Sequence, residues 1–265
     1  MRAFCYFSIV VALAFGYCRS VGHAAAPSTN SRRPVVLELF TSEGCSTCPP
    51  ADALLARLEE QQPFPDTEII ALEEHVDYWN QQGWFDPFSS DQWTQRQQNY
   101  AAVLPDHGVY TPELVVNGRT GFVGSREGDA RRAIAAAAAE PSLNVQLEPV
   151  ASQKHDHVAY KLTVGAPGAA PSGEVAEVWI AIGERGLHSA VTRGENAGAH
   201  LQHGSVLRWL HKVGTLDHRS TSAFSSQVEV KLEAGWNRGN LSAIAFIQEK
   251  RSRHILGAIT ARVEP

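Results

Sequence analysis

One pair of cysteines constrains the fold of this chain more than any other sequence feature. Cys45 and Cys48 are separated by two residues, and they lie after the apolar run 35–40 and before a helix-like pattern over 51–60. At the start of a helix, backbone N–H groups and the helix dipole stabilise a thiolate, which makes a thiol there more acidic and more nucleophilic. A second thiol at this spacing is close enough to form an intramolecular disulfide. The pattern therefore predicts a redox-active pair at a strand-to-helix junction.

The two other cysteines lie in an N-terminal segment that has the features of a secretory signal peptide. Cys5 and Cys18 belong to residues 1–26, which contain an apolar stretch over 3–15 and end in a run of alanines at Ala26. The apolar stretch is too short to span a bilayer as a helix, and the small residues favour cleavage after the run. We therefore expect an exported protein, periplasmic or secreted, whose mature chain keeps one cysteine pair in an oxidising compartment.

Length and charge restrict the domain count and the partners. The chain has 265 residues, of which 43% are hydrophobic, enough for one large or two ordinary domains. Its net charge is −5 and it contains no basic stripe, so we expect no nucleic-acid partner. No apolar run after residue 26 is long enough to span a membrane, so we expect no membrane span in the mature chain. Residues 27–33 are polar and are expected to form a flexible N-terminal arm.

The pattern of residues 34–140 predicts an α/β domain. Strand and helix patterns follow in the order β-α-β, a helical insertion at 78–105, and then β-β-α. Ser90 has the character of an N-cap for the inserted helix. Asn117 and Gly118, between two short apolar runs, are typical of a two-residue hairpin turn.

A change of pattern at Pro141 predicts a second domain over residues 142–265. Short alternating runs with turn residues between them are typical of a β-sandwich. Seven such runs are found, at 144–150, 158–165, 175–183, 206–213, 228–232, 241–249 and 255–263.

Several motifs along the mature chain also resemble those of a known family. They are Glu43-Gly44-Cys45-Ser46-Thr47-Cys48-Pro49-Pro50-Ala51-Asp52, His75-Val76-Asp77-Tyr78-Trp79, Asp86-Pro87-Phe88-Ser89, Arg96-Gln97, Tyr100-Ala101, Thr111-Pro112, Val116-Asn117-Gly118, Arg193-Gly194-Glu195-Asn196 and Val206-Leu207-Arg208. The chain is similar in these motifs to an uncharacterised secreted bacterial family, a domain of unknown function with a thioredoxin-like fold. The resemblance implies an α/β thioredoxin-like domain followed by a mostly-β, sandwich-like domain. It implies no established activity.

The thioredoxin-like resemblance also implies a substrate-binding position at Thr111 and Pro112. In that fold class a cis proline precedes a strand and faces the disulfide, and the residue before it offers backbone groups to an extended substrate. Thr111 and Pro112 stand immediately before the apolar run 113–116, as this arrangement requires. An ordinary trans proline in a loop is the alternative, because cis X-Pro bonds are uncommon.

Four further residues are candidates for accessory roles. Glu43 is two residues before the first cysteine, where its charge would raise the thiol pKa. His75, Asp77 and Trp79 alternate, so they share one face if their strand continues. A packed, hydrogen-bonded network without chemical function is the alternative for these three residues. Glu38, in the first strand, is expected to point away from the sulfurs.

Metal binding is an alternative use of the cysteine pair. Cys45, Cys48 and His75 together would suit copper or zinc. No fourth ligand is evident, so the sequence assigns no metal ligands and no cofactor. The remaining histidines of the second half are expected to be surface or hydrogen-bonded groups; they are His188, His200, His203, His211 and His218. Residues 193–196 have turn character and are expected to orient a loop.

These observations predict an exported thiol–disulfide oxidoreductase. Cys45 would attack a disulfide, and Cys48 would resolve the mixed disulfide. The partner would be an exported protein or a small thiol or disulfide, together with an unidentified redox partner. Two alternatives stay open: a copper- or zinc-binding module that uses the same cysteines, and a non-catalytic interaction protein with an inert disulfide. The inert bridge is the less favoured of the two readings of the disulfide, because so short a loop yields little entropic stabilisation.

Overall fold

Secondary structure in the first half forms close to the predicted residues. A computed structural model of the chain describes Met1 and residues 32–105, 108–166, 173–217, 219 and 222–263. Its first elements are β1 Arg33–Thr41, α1 Pro49–Gln61, β2 Thr67–His75, α2 Asp91–Ala101, β3 Glu113–Val116, β4 Thr120–Val123 and α3 Glu127–Ala138. Apart from Met1, the predicted signal peptide at 1–26 lies outside the described residues. Most of the predicted arm at 27–33 also lies outside them, and its last residue, Arg33, begins β1.

The second half contains the seven predicted strands and two more. The strands are β5 Val145–Val150, β6 His157–Val164, β7 Ala176–Glu184, β8 Leu187–Ala190, β9 His200–His203, β10 Val206–Leu216, β11 Phe224–Lys231, β12 Leu241–Glu249 and β13 Ile255–Arg262. The short strands β8 and β9 pair with each other and were not predicted. Their four-residue lengths are too short for a recognisable alternation of apolar and polar side chains.

The fold class predicted from the sequence is wrong. The protein is not an α/β thioredoxin-like domain followed by a β domain, because strands from both halves form one mixed eight-stranded sheet in the order β13-β12-β7-β10-β2-β1-β3-β4. Of the described residues, 43% are in strands and 19% are helical, so the fold is mostly β. The remaining strands form a three-stranded sheet, β11-β6-β5, and the β8-β9 pair.

The two halves join at the edge of β2. Val206 of β10 is opposite Glu73 of β2, and the backbone N–H of Glu73 donates to the carbonyl of Ser205 at 2.8 Å. An unpaired strand edge is a ready template for another strand, and here β10 occupies it. The apolar core is shared as well, since Leu72 of β2 packs in one cluster with Phe246 of β12. That residues 34–140 and residues 142–265 form separate domains therefore stays a prediction.

Local sequence signals explain how the first half is shaped. Pro49 and Pro50 occupy the first turn of α1, where a missing N–H costs no helical hydrogen bond. The Ser90 hydroxyl accepts from the backbone N–H of Gln92 at 3.2 Å, which confirms the predicted N-cap of α2. Gly118 has φ +67° in the β3–β4 turn, and a Cβ there would lie 1.9 Å from the carbonyl oxygen of Arg253. Only glycine fits this close approach.

Alternation along β2 sends its charged residues to opposite faces of the sheet. Ile69 and Ala71 pack with the apolar side of α1, whereas Ile70 and Leu72 pack on the face that α2 covers. By the same period of two, Glu73 and His75 lie on the α1 face and Glu74 lies on the α2 face. Across the described residues, every helix is too short or too polar to traverse a bilayer.

Candidate functional site

The predicted cysteine pair forms a disulfide in the loop between β1 and α1. The Cα atoms of Cys45 and Cys48 are 5.4 Å apart, and Cys48 occupies the N-cap of α1. Cys45 is 1% exposed and Cys48 is 0% exposed, whereas Ser46 and Thr47 between them are exposed. Both sulfur-bearing residues are thus covered in this conformation, and only the two intervening residues face solvent.

A segment from the second half of the chain covers the cysteine loop. This covering segment, residues 191–199, connects β8 to β9. The side-chain amide of Asn196 donates to the carbonyl oxygens of Glu43 at 2.9 Å and Cys45 at 3.0 Å. A carboxylate oxygen of Glu195 accepts from the backbone N–H and the hydroxyl of Ser46 at 3.1 and 2.7 Å. The turn predicted at 193–196 therefore orients a loop against the cysteine pair.

Next to the cysteine loop, five ionisable side chains form a buried group, which we call the histidine cluster: Glu43, Glu73, His75, Asp86 and His203. His203 contacts Glu73 Oε1 through Nδ1 at 2.8 Å and Glu43 Oε1 through Nε2 at 2.9 Å. His75 contacts the same Glu73 oxygen through Nε2 at 3.2 Å and Asp86 Oδ2 through Nδ1 at 2.7 Å. The five side chains thus form one continuous chain of polar contacts, with Glu73 at its centre.

Further hydrogen bonds fix the carboxylates of the histidine cluster. Asp86 accepts from the backbone N–H groups of Glu43 and Phe88 at 2.8 and 2.9 Å. Glu73 Oε2 accepts from the backbone N–H of Gly204 at 2.7 Å. The indole N–H of Trp84 donates to Glu43 Oε2 at 2.7 Å. Buried polar networks are stable only when their members are satisfied, and these bonds meet that requirement.

The charges in the cluster support one another. Burial opposes the protonation of His75, but Asp86 and Glu73 outweigh it and raise the pKa of His75 well above its usual range. Burial likewise opposes the charge on His203, while bonds to Glu43 and Glu73 raise its pKa to about 9. Burial disfavours the Glu73 carboxylate, but its bonds to the two histidines lower its pKa to about 2. Both imidazoles are therefore cationic at neutral pH when they have only these carboxylates as partners.

A fourth buried acid of this region, Asp52, lies on α1 one helical turn after Cys48. Its carboxylate accepts from the hydroxyl of Thr41 at 2.6 Å. Burial, reinforced by the charge of Glu73, raises the pKa of Asp52 to about 7. Asp52 is thus a carboxyl group that exchanges a proton near neutral pH beside the cysteine pair.

Trp79 connects Thr111, and with it Pro112, to the cysteine loop. The Thr111-Pro112 peptide bond is cis, as predicted. The Thr111 hydroxyl accepts from the indole N–H of Trp79 at 2.8 Å, and Trp79 Cβ lies 3.1 Å from the position that a Cβ on Gly44 would take. Pro112 is buried, and its carbonyl accepts from Gly124 at 2.9 Å. A substrate-binding role for Thr111 and Pro112 stays a prediction.

The expected common face of His75, Asp77 and Trp79 does not form. The strand ends at His75, so the alternation on which the expectation rested stops there. Asp77 accepts from the hydroxyl of Thr94 on α2 at 2.6 Å, whereas His75 belongs to the histidine cluster. Glu38 points away from the sulfurs, as expected, and contacts Arg96 on the α2 face.

Sequence reasoning missed three members of the site. His203 was expected to be a surface or hydrogen-bonded group; it is hydrogen-bonded, but it is 5% exposed. Asp86 and Asp52 were noted only as parts of motifs. A local signal was present for Asp86, an acid directly before Pro87 in a short polar stretch, but nothing in the sequence indicates that it contacts His75, 11 residues earlier.

One group of side chains in the described part of the chain has the geometry of metal ligands. Glu73, His75 and His203 each offer one ligand atom, and these atoms all lie within 4.8 Å of one another. Neither Cys45 nor Cys48 belongs to this group. The alternative copper or zinc site at Cys45, Cys48 and His75 stays untested, since the two cysteines are joined in a disulfide here.

Comparisons with known proteins give a family and a fold. The family model described as "Protein of unknown function (DUF1223)" matches residues 36–248. Among proteins with curated descriptions, no match to the sequence is found.

Two solved structures are similar over most of the chain. A protein from Agrobacterium tumefaciens has 27% sequence identity and a TM-score of 0.64, over 88% of this chain and 96% of the other. HBP35 of Porphyromonas gingivalis has 15% identity and a TM-score of 0.64, over 88% of this chain and 76% of the other. A domain of the outer membrane lipoprotein Omp28 from Porphyromonas gingivalis has a TM-score of 0.28, which is too low to indicate a common fold. The similarity to HBP35 supports the fold alone.

Proposed function

We propose that this chain, which belongs to the DUF1223 family of proteins of unknown function, is an exported thiol–disulfide oxidoreductase that acts through Cys45 and Cys48. The observation that carries the proposal is the position of the cysteine pair. The two residues close a disulfide immediately before α1, with Cys48 at the N-cap, and the loop they form is held by polar contacts and not by packing alone. A short bridge at a helix start is suited to opening and closing, because it contributes little to stability.

The reaction is a pair of thiol–disulfide exchanges. In the reduced protein, the Cys45 thiolate attacks one sulfur of a partner disulfide, forms a mixed disulfide and releases a partner thiolate. The Cys48 thiolate then attacks the Cys45 sulfur, which closes the Cys45–Cys48 bond and releases the second partner thiol. Two electrons pass from the cysteine pair to the partner. The reverse sequence, begun by a partner thiolate that attacks Cys45, oxidises the partner instead.

Asp52 supplies a place for the proton in this exchange. Cys48 must lose a proton before it resolves the mixed disulfide, and Asp52 lies one helical turn further along α1. Its pKa of about 7 leaves a fraction of the carboxylate free to accept a proton at neutral pH. The Glu43 carboxylate is held by His203 and Trp84, which moderates the repulsion that it would exert on a thiolate.

The partner surface is assigned to residues around the cysteine loop. Phe85 is 71% exposed and follows Trp84, whose indole reaches Glu43. An exposed aromatic side chain beside a reactive loop is suited to contact an apolar side chain of a protein partner. Thr111, which is partly exposed, is proposed to lie at the edge of the same surface, since it is joined to the cysteine loop through Trp79, and the buried Pro112 would orient it there.

Burial of both cysteines favours a second candidate, a non-catalytic interaction protein with an inert disulfide. At 1% and 0% exposure, neither Cys45 nor Cys48 is open to a partner until the covering segment moves. In an oxidoreductase, the Cys45–Cys48 bond exchanges with partner disulfides as fast as in other oxidoreductases. In an interaction protein with an inert disulfide, it does not.

Trapping of mixed disulfides tests the proposal. In a Cys48→Ser variant the resolving thiol is absent, so adducts through Cys45 should accumulate with exported proteins and with a small disulfide such as oxidised glutathione. Cys45→Ser is the matched control, and it should form far fewer adducts because its remaining thiol is the resolving one. Non-reducing gels and mass spectrometry measure both. Absence of adducts in Cys48→Ser, under conditions that trap a known oxidoreductase, would support the inert bridge.

A further inference from the structure

The histidine cluster has the geometry of a metal site that does not involve the cysteines. Glu73 Oε1 lies 3.2 Å from His75 Nε2 and 2.8 Å from His203 Nδ1, and all three atoms lie within 4.8 Å of one another. Two ligands that are each about 2.0–2.2 Å from one ion, at tetrahedral or octahedral angles, are about 3–3.5 Å apart. The carboxylate oxygen is therefore at coordination-sphere spacing from both nitrogens, and the two nitrogens, within 4.8 Å of each other, would have to move closer together around an ion.

The second nitrogen of each histidine is held as metal-binding histidines require. His75 turns Nδ1 to Asp86 Oδ2 at 2.7 Å, and His203 turns Nε2 to Glu43 Oε1 at 2.9 Å. A histidine that binds a metal through one nitrogen usually donates the other N–H to a carboxylate or carbonyl, which fixes the ring and raises its basicity. His75 turns Nε2 toward Glu73 and Nδ1 toward Asp86, whereas His203 turns Nδ1 toward Glu73 and Nε2 toward Glu43. Each ring thus has one nitrogen for a metal ion and the other on a supporting carboxylate.

The carboxylates of this outer shell are themselves immobilised. Asp86 is held by two backbone N–H groups, and Glu43 by the indole of Trp84. The second oxygen of Glu73 is occupied by the backbone N–H of Gly204, so Oε1 is the oxygen that faces both histidines. Three ligand atoms with a complete supporting shell distinguish this arrangement from a chance group of polar side chains.

The charges of the cluster also accommodate a divalent cation, which would take the place of the two imidazole protons. The cluster contains three carboxylates and two imidazoles, all buried, and Asp52 is a further acid nearby. Within the described residues, the ion pairs of Glu43, Glu73 and Asp86 are with His75 and His203 alone. With neutral imidazoles, which metal binding requires, the cluster carries three negative charges. A divalent ion offsets most of this charge, which is costly to bury unpaired.

We propose that Glu73, His75 and His203 form a binding site for a divalent first-row transition-metal ion. Two imidazole nitrogens and one carboxylate oxygen suit Zn²⁺, Fe²⁺ and their neighbours, and three protein ligands leave coordination positions open. The sequence assigned no metal ligands, and the metal alternative considered there used Cys45 and Cys48. This site uses neither, so metal binding and thiol–disulfide exchange are separate properties of neighbouring groups.

Metal titration of the full chain with the Cys45–Cys48 disulfide intact tests the proposal. After removal of bound metal, Zn²⁺ is titrated by calorimetry and Co²⁺ by visible absorption. The expected result is one equivalent of each ion. The Co²⁺ spectrum should lack a thiolate charge-transfer band, since all three ligands are nitrogen or oxygen. Failure to bind Zn²⁺ or Co²⁺ above the level of a denatured control would overturn the proposal.

Matched variants locate the site. His203→Ala should lower the Zn²⁺ affinity at least about 100-fold, and Asp86→Asn, which alters the outer shell, about 10–100-fold. His188→Ala, at an exposed histidine of β8, should leave the affinity unchanged. Where His203→Ala does not fold, His203→Gln provides a polar side chain that is a poor ligand, and the same loss is expected.

A Cys45→Ser, Cys48→Ser double variant separates this proposal from the redox proposal. It should abolish disulfide exchange and retain the full Zn²⁺ affinity. Loss of the ion in the double variant, or an affinity unaffected by His203→Gln, would assign the metal elsewhere and refute the site.

Discussion

Two buried charged clusters lie on opposite faces of β2, and they differ in the cation that holds their carboxylates. The histidine cluster on the α1 face uses two imidazoles. The other, which we call the arginine cluster, lies on the α2 face and consists of Glu38, Glu74, Arg96, Tyr100 and Gln248. Both clusters are close to fully buried, and neighbouring residues of β2, Glu73 and Glu74, contribute one carboxyl group to each.

The arginine cluster has the composition of a network that stabilises the fold. Arg96 contacts Glu38, lies 3.5 Å from Glu74, and donates to Gln248 at 3.2 Å. A guanidinium stays protonated and is not a metal ligand, so this cluster has one state. Burial and the nearby Glu38 charge raise the pKa of Glu74 well above its usual range.

The histidine cluster is suited to chemistry. Imidazoles can carry a proton or a metal ion, and each has a carboxylate partner that supports either state. The cluster also touches the cysteine loop through Glu43. Charge is thus buried equally on the two faces of β2, but for different roles. The face whose carboxylates are held by imidazoles, which can exchange a proton or a metal ion, is the functional one.

The largest expected effect is on the free energy of unfolding, after removal of the Arg96 guanidinium. Arg96→Met leaves the Glu38 carboxylate buried without its cation and should destabilise the protein by about 3–5 kcal/mol in urea unfolding. In the fraction that stays folded, exchange at Cys45 and Cys48 should be unchanged, because the arginine cluster lies on the other face.

Arg57→Met is the matched control, since Arg57 pairs with Glu127 at the exposed surface and should show little change. A cost below about 1 kcal/mol for Arg96→Met would mean that the arginine cluster is not the structural one.

The next effect concerns the pH dependence on the α1 face. Asp52 has a pKa of about 7 in the folded protein, above its ordinary value of 3.8, so ionisation is disfavoured on folding. Wild-type stability should therefore fall as the pH rises through the window between these two values. Asp52→Asn should remove this slope, leaving the variant more stable than wild type by about 1–4 kcal/mol at about pH 8, with little difference near pH 4.

Urea unfolding at several pH values measures the difference. The matched control is Asp66→Asn, at an exposed aspartate before β2, which should keep the wild-type slope. An Asp52→Asn variant with the wild-type slope would show that Asp52 is not the titrating acid beside the cysteine pair.

A smaller effect concerns the covering segment. Glu195→Ala removes the two hydrogen bonds to Ser46, so the cysteine loop should be uncovered more often. Reduction of the Cys45–Cys48 bond by dithiothreitol should then be about two- to tenfold faster, as local opening governs access to buried groups. Glu148→Ala, at an exposed glutamate of β5, is the control. Equal reduction rates for the two variants would show that the covering segment does not limit access.

The smallest effect concerns the partner surface. Phe85→Ser should slow exchange with a protein disulfide by about two- to fivefold, because one exposed aromatic contact is lost. Exchange with oxidised glutathione should not change, since a small disulfide needs no docking surface. Val175→Ala, which also shortens an exposed apolar side chain, serves as the control. A parallel loss with both substrates would place the effect of Phe85 in the cysteine loop itself.

The secondary structure was predictable because its signals are local. Alternation and turn residues located β3 and β12 to the residue, and Ser90 indicated the start of α2. The fold class was not predictable from these signals. Whether β10 joins the edge of β2 or belongs to a separate sandwich depends on a pairing between Val206 and Glu73, which no local pattern encodes. The change of pattern at Pro141 marks a change of element type, and the sheet continues across it.

The candidate site was predictable only in part, for the same reason. The cysteine pair has a short motif, and the structure closes it as a disulfide. The histidine cluster brings together residues from the cysteine loop, β2, the stretch before α2 and β9. His203 is the last residue of a four-residue strand, so its burial follows from the meeting of the two halves and not from its neighbours in sequence.

The reduction potential of the Cys45–Cys48 pair distinguishes an exchangeable disulfide from a structural one. The metal-free protein is equilibrated with glutathione or dithiothreitol buffers, and the fraction of disulfide is read by alkylation and mass spectrometry. An exchangeable pair should give a reversible two-electron transition between about −120 and −270 mV, the range of known oxidoreductases. A potential below about −300 mV would identify a structural bridge and contradict the proposed activity.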